Sequence, residues 1–177
     1  MTSSTHWPVA DLLTSSRLAL EPLRPGHAPE AFPVFDDVRL HTWTGGAPST
    51  LAELAARYAR QAAGRSPDGS QGWLNWMLRR TDDGRLAGTV QATVYRTSAG
   101  DLEASLAWVV GVEHQGLGFA REAAAAMADW LRGQGVTVLA AYVHPEHAAS
   151  AAVARALGLT PTDVVEDGEV RWSSTGG

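Results

Sequence analysis

Gln115-Gly116-Leu117-Gly118-Phe119-Ala120 is the stretch on which the fold turns. Upstream lies a strand-like run, Leu106-Ala107-Trp108-Val109-Val110, and downstream a helix-like run from Phe119 to Arg132. Glycines between a strand end and a helix start leave main-chain N–H groups bare and aimed at one spot. The helix N-terminus adds partial positive charge and unsatisfied donors, so the turn suits a phosphate. A plain strand-to-helix turn is the bland alternative. Two familiar phosphate loops do not fit. A dinucleotide fingerprint requires a third small residue at 121, where this chain has Arg121. It also requires an acidic ribose partner about twenty residues on, where the chain reads Leu139, Ala140, Ala141 and Tyr142. A P-loop requires Gly-Lys-Ser/Thr, and the chain has no lysine.

Outward from the turn, the apolar period changes. Before it, Leu18 and Leu20 alternate with polar neighbours, and the runs Trp73 to Arg80, Leu86 to Arg96 and Leu102 to Val110 follow one another through short turns. These are strands, antiparallel to their neighbours. Between the first of them and the rest, Pro25, Pro29 and Pro33 keep any helix short or bent. Thr50 and Glu53 form a capping box for a helix to about Ala63, with Leu51, Leu54, Ala55 and Tyr58 facing inward. After the turn, Phe119, Ala123, Met127, Trp130 and Leu131 recur at helical spacing until Gly133. Val136 to Val143 is a buried strand, Ala148 to Leu157 a helix, and Val164 to Trp172 a hairpin around Asp167-Gly168. The strands flanking the first of these helices should be parallel. The order predicts a mixed α/β (α+β) sheet whose first half is antiparallel. Residues 1–14 read as a loose arm and 15–177 as one domain.

A resemblance rests on three blocks. Gln115, Gly118 and Ala120 fit Gln/Arg-x-x-Gly-x-Gly/Ala. Val143-His144-Pro145-Glu146-His147-Ala148-Ala149-Ser150, running on to Leu157-Gly158-Leu159, is similar to Val-x-Pro-Glu-Asn-x-x-Ser…Leu-Gly-Phe. Arg17-Leu18-Ala19-Leu20-Glu21-Pro22-Leu23 resembles a first strand of the same kind. Together they resemble the GCN5-related N-acetyltransferase (GNAT) superfamily, in its RimJ/RimL-like branch. The resemblance implies a twisted, mostly antiparallel mixed sheet flanked by helices, splayed beside the strand ending at Val110. It implies acetyl-CoA as cosubstrate and transfer of its acetyl group to a primary amine, on a protein N-terminus or a small molecule such as an antibiotic, by direct attack on the thioester. The other readings are a non-catalytic acyl-CoA-binding module and a nucleotide-binding α/β protein.

Composition narrows the field. The formal net charge is −5, with no basic run or aromatic-rich basic patch, which argues against a nucleic-acid surface. With no cysteine, disulfides, thiolate metal sites and a cysteine nucleophile are excluded. The N-terminus lacks a charged leader and an apolar core, and no apolar run approaches membrane length, so a cytoplasmic location is expected. A monomer or homodimer is expected as well.

Acyl transfer from a thioester to an amine needs a held cofactor, a polarised carbonyl, a base for the amine and an acid for the thiolate. The main chain of Gln115, Gly116, Leu117, Gly118, Phe119 and Ala120 is expected to hold the diphosphate, with Leu117 and Phe119 packing around the cofactor or into the core. By resemblance, amides of Val109, Val110 and Val112 face the pantetheine arm and thioester; Gly111 and Val112 stand where His-Pro is often found. Glu103 is the candidate base on that strand, with His114 and His144 as others. By resemblance Ala154 stands where many relatives carry a tyrosine acid, and Ser150 is its substitute. His147 replaces the branch's asparagine, as a helix cap, a cofactor contact or a new base. His144 and His147 lack a third ligand nearby, so no metal is expected. Trp43, in a glycine-flanked loop, is the candidate substrate contact, and Trp73, Trp76, Trp108 and Trp130 are assigned to the core. Asp36, Asp37, Glu166 and Asp167 are candidates for greeting a cationic acceptor.

Overall fold

The computed structural model describes residues 6–175. Its elements are β1 (Leu13–Thr14), β2 (Leu18–Pro22), α1 (Ala28–Phe35), α2 (Leu51–Gln61), β3 (Gly72–Arg80), β4 (Leu86–Arg96), β5 (Leu102–Val110), α3 (Phe119–Gly133), β6 (Val136–Val143), α4 (Ala148–Ala156), β7 (Thr160–Glu166) and β8 (Glu169–Ser173). All eight strands join one sheet in the order β1-β2-β3-β4-β5-β6-β8-β7. Every pairing is antiparallel except β5 with β6. The sheet is therefore mixed and mostly antiparallel, as the order of elements predicts.

Alternation along β3 assigns the two faces. Leu74, Trp76 and Leu78 enter the large core under α3 and α4, while Met77 enters a smaller one with Ala28, Ala31, Leu54 and Tyr58 under α1 and α2. Helix α3 buries Phe119, Ala123, Met127 and Leu131, one per turn, with Ala124 and Ala128 beside them. Fully burying a side chain the size of Met127 or Leu131 is worth about 2 kcal/mol, so this stripe fixes the helix against the sheet. The Thr50–Glu53 capping box forms in both directions.

The feature that positions the site is where the parallel ladder stops. It runs from Leu102↔Val136 to Leu106↔Ala141 and no further. Strand β5 continues to Val110, whereas Tyr142 and Val143 pair with Arg171 and Val170 on the opposite side of β6. Residues Ala107 to Val110 thus keep β4 as a neighbour but lose β6, and the sheet splays there.

Three expectations need correction. Residues 1–5 of the expected loose arm lie outside the described residues, but Trp7, Ala10 and Leu13 dock the rest of it on the core, while Val9 and Leu12 stay exposed. Trp7 donates its indole N–H to Gly69 O at 3.1 Å, and a Cβ on Gly72 would come within 2.9 Å of its Cβ. Leu13–Thr14 adds a short edge strand to β2. Leu51 does not face inward; it is 43% exposed, because the buried stripe of α2 runs through Leu54 and Tyr58. The last hairpin starts at Thr160, with Pro161 at the beginning of an edge strand where its missing N–H does no harm.

Candidate active site

Gly118 is the N-cap of α3 with φ 83°, and Gly116 has φ 76°. Both lie in the left-handed region that favours glycine. No main-chain N–H of residues 116–118 bonds to another backbone group among the described residues. Those of Phe119, Ala120 and Arg121 open the helix and have no partner within it. Six donors are therefore free of backbone partners, and five of their residues, all but Leu117, line one concavity. Gln115 ties the turn to the strand end, donating from Nε2 to Val110 O at 3.0 Å.

Arg17 braces the turn from behind. Its Nη1 donates to Leu117 O at 2.8 Å, its Nε to Glu122 Oε1 at 2.8 Å, and its guanidinium lies 4.6 Å over the Phe119 ring. Glu122, in the first turn of α3, also accepts from Ser15 Oγ at 2.6 Å and from the Arg17 N–H at 3.0 Å. Burial pushes the Glu122 carboxyl up, but the hydrogen bonds from Ser15 and Arg17 outweigh it and hold the group below its ordinary value. His114, 3% exposed, places Nδ1 3.2 Å from Arg80 Nη1. Burial foremost, then Arg85 and Arg80, lowers its pKa, so it is a neutral acceptor that anchors Arg80 and not a free base.

From the turn a cleft of 680 Å³ follows β5 from Val110 back past its open edge to Ser105, across to Tyr142–His144, His147 and Ser150. Gln115, Gly116, Gly118, Phe119 and Ala120 line it, with Val109 and Val110. Leu117 does not pack there: its carbonyl is held by Arg17 and its side chain turns outward, 46% exposed. Val112 lies just past the wall, in the 3-10 turn Val112–His114. Its N–H makes no main-chain bond, whereas that of Gly111 is taken by Ala87 O at 2.8 Å. Arg121, the residue that breaks a dinucleotide fingerprint, also lines the cleft.

At the far end, His147 caps α4. Its Nδ1 accepts from the Ser150 N–H at 3.3 Å, which leaves the proton of the neutral ring on Nε2. Burial, and then the neighbouring His144, lowers its pKa. The Trp43 indole stacks on His147 with centroids 5.0 Å apart and leans on His144 at the same separation. Ser150 Oγ accepts from Trp108 Nε1 at 3.3 Å. Trp108 was expected in the core; it is half-buried and forms part of the cleft wall, because the splay removes the strand that would cover it. Glu103 is not brought to the site. It accepts from the Tyr95 hydroxyl at 3.1 Å. It lies four residues before Ala107, about 13 Å along the strand. Ala154, where the resemblance implies a tyrosine, is fully buried.

A second cavity, of 310 Å³, opens on the other side of β5. Leu40, Thr44, Gln91, Ala107, Trp108 and Val109 are common to both spaces. Phe32, Phe35, Leu54 and Tyr58 form its apolar wall, and Asp36 and Arg57 its charged positions. Asp37 is drawn away: its carboxylate binds Arg39, at 2.6 Å to Nη2, and its pKa falls to about 2. Glu166 and Asp167, in the last hairpin, are not on this wall, and Trp43 lies on the side of the larger cleft. Sequence reading missed Tyr58 and Arg57 as cavity residues; helical spacing signals burial but not what the buried face meets.

A bare-amide turn at the mouth of a splayed parallel ladder, with a second cavity meeting the first along the opened strand, suits a protein that brings a phosphorylated ligand and a second small molecule to one strand segment. The chain belongs to the GNAT acetyltransferase family: residues 17–160 match its acetyltransferase (GNAT) domain. The acetyltransferase from Agrobacterium tumefaciens strain C58 is 26% identical, with a TM-score of 0.69 over 95% of this chain and 96% of that one. RimL, the ribosomal L7/L12 alpha-N-protein acetyltransferase solved with coenzyme A, is 14% identical, with a TM-score of 0.68 over 92% and 97%. The microcin C7 self-immunity acetyltransferase MccE, solved with acetyl-CoA and AMP, is 13% identical, with a TM-score of 0.71 over 89% and 92%. No curated protein matches the chain. The protein is an acetyl-CoA-dependent acyltransferase. Among the described residues no helix is long and apolar enough to cross a membrane.

Proposed function

We propose that the protein moves the acetyl group of acetyl-CoA to a primary amine seated in the 310 Å³ cavity, by direct attack of the amine on the thioester. The supporting observation is the wall that both spaces share at Ala107–Val109, which brings the two ligands to one strand segment. Acetyl-CoA supplies an acyl group already activated on sulfur. The amides of residues 116–121 hold its diphosphate, and those of Val110 and Val112 polarise the carbonyl. The Val109 N–H, expected to share this role, points toward Thr89 across the β4 ladder, because alternate residues of β5 face β4. One well-placed donor of this kind is worth roughly a hundredfold in rate. Ser150 gives its proton to the departing thiolate, His147 offers Nε2–H to the pantetheine arm, and Trp43 covers both histidines. Asp36, the carboxylate on the acceptor wall, draws in the ammonium and takes the place expected for Glu103. The acceptor is the amine of a protein N-terminus or of a small molecule, and the protein works in the cytoplasm, as a monomer or homodimer.

The test is release of free thiol from acetyl-CoA across a panel of amines, alongside mass spectrometry of any ligand carried by the purified protein. Thiol release that depends on an amine is expected. Tight acetyl-CoA binding with no release for any amine would make the chain a binding module.

A further inference from the structure

The acceptor reading above leaves the kind of amine open, and the small cavity narrows it. Its charged lining positions are Asp36 and Arg57, one of each sign. Asp37, next along the chain, is neutralised by Arg39. The Arg57 guanidinium donates to the Ser49 hydroxyl at 3.1 Å and forms no ion pair with a carboxylate among the described residues. A compound with several ammonium groups would meet one carboxylate and one repelling cation here, and like charges brought together oppose binding.

Tyr58 adds a second constraint. The residue is only 6% exposed and lines the cavity. Its hydroxyl makes no hydrogen bond among the described residues, yet it is not sealed in. Burial pushes its pKa up to about 12, so it remains a donor at neutral pH. A phenol and a guanidinium both ask for an oxygen acceptor, while Asp36 asks for a cation. Phe32, Phe35 and Leu54 ask for an apolar body. A volume of 310 Å³ is at the small end for ligand sites and suits a compact molecule.

We infer that the acceptor is an amino-acyl unit: one amine beside one carbonyl or carboxylate, carrying an apolar side chain, and not a polycation. In the reaction the amine nitrogen forms a bond to the thioester carbon and the C–S bond breaks. The ammonium first gives one proton to Asp36, and the nitrogen loses a second after attack. The sulfur gains one from Ser150, which the second proton replenishes, so that one proton is released to solvent. Asp36 meets the ammonium, and Arg57 and Tyr58 meet the oxygen.

The test compares thiol release with L-phenylalanine, L-phenylalaninamide, the peptide Phe-Gly-Gly, phenethylamine, spermidine and kanamycin, using the full chain. At least one of the first three should exceed each of the last three in kcat/KM by more than tenfold. Which of those three leads tells a free amino acid from an amide or a peptide terminus. A preference for phenethylamine, spermidine or kanamycin overturns the inference but leaves the acyltransferase reading standing. Release with none of them, while acetyl-CoA still binds, overturns both. In Tyr58→Phe, KM for the amino-acyl substrate should rise about fivefold, as for a lost hydrogen bond. KM for phenethylamine, which lacks the oxygen, should not change. An equal change for both, or none for either, in a variant that melts like the wild type, removes Tyr58 from recognition.

Discussion

The indole N–H of Trp108 donates to the Ser150 hydroxyl across 3.3 Å, joining the open edge of β5 to the first turn of α4. With a lone pair of Oγ engaged, the O–H of Ser150 is left to be given away. The Ser150 N–H is separately held by His147 Nδ1. Backbone and side chain are thus both fixed, and the hydroxyl is set as a donor facing the cleft. Ser150→Ala should lower kcat roughly a hundredfold, the usual scale for a positioned acid, with little change in KM for acetyl-CoA. Trp108→Phe should lower it about tenfold by the same route. Steady-state kinetics on both single variants and the double variant checks this. If Trp108 acts through Ser150, the double variant is no slower than Ser150→Ala alone. Losses that multiply would reduce Trp108 to packing.

The glycine turn is the proposed seat of the diphosphate. A side chain at Gly118 would be strained at φ 83°, and its Cβ would approach Arg17 Nη2 to 3.3 Å. Gly118→Trp should therefore abolish acetyl-CoA binding by calorimetry. The helix behind it, anchored by Met127 and Leu131, should still melt cooperatively. Unchanged affinity would mean that the diphosphate sits elsewhere.

Arg17 and Glu122 stand 105 positions apart and hold that turn together. The Glu122 carboxyl lies below its ordinary 4.5 in the folded protein. Its contribution is then full above about pH 4.5 and is lost as pH falls through the lowered folded value. Glu122→Gln should weaken acetyl-CoA binding at neutral pH by about tenfold, the scale of one charge-assisted hydrogen bond. It should also flatten the loss of thermal stability on acidification below about pH 4.5. A variant with the wild-type acid profile would show that the carboxylate does not stabilise the turn.

How much of this was legible in the sequence depends on the range of the interaction. Strands Leu86–Arg96, Leu102–Val110 and Val136–Val143 have the bounds that alternation, apolar runs and turn residues predict, because those signals are local. The glycine turn was legible for the same reason. Leu13–Thr14 was not, since two residues carry no period. Nor was the Arg17–Glu122 brace, which depends on how the sheet brings distant segments together. Trp108 was assigned to the core because an apolar run reads as buried on both sides. The splay uncovers one side, and nothing in the residues of β5 marks where β6 turns away. Glu103 was a matter of register: it shares a strand and a side with Ala107 but lies about 13 Å from it.

His147 is both cap and stacking partner, so its titration should be visible in stability. Its folded pKa is lowered from 6.5 by burial and by His144. Below about pH 6.5 the unfolded chain takes up a proton that the folded ring resists, so stability is full above that pH and falls with acidification through the lowered folded value. His114 is shifted the same way by its own burial, and adds to the slope. His147→Asn removes one titrating group and puts a better cap at the start of α4, worth about 0.5–1 kcal/mol. Melting temperature should therefore rise at neutral pH, and its decline toward about pH 5.5 should become shallower without disappearing, since His114 remains. Trp43 loses the ring it stacks on, so its fluorescence should shift in the same variant. Differential scanning calorimetry across that pH range, with His114→Gln as the companion variant, separates the two rings. If His147→Asn leaves the slope untouched while His114→Gln flattens it, the acid sensitivity belongs to the strand end and not to the cap beside Ser150.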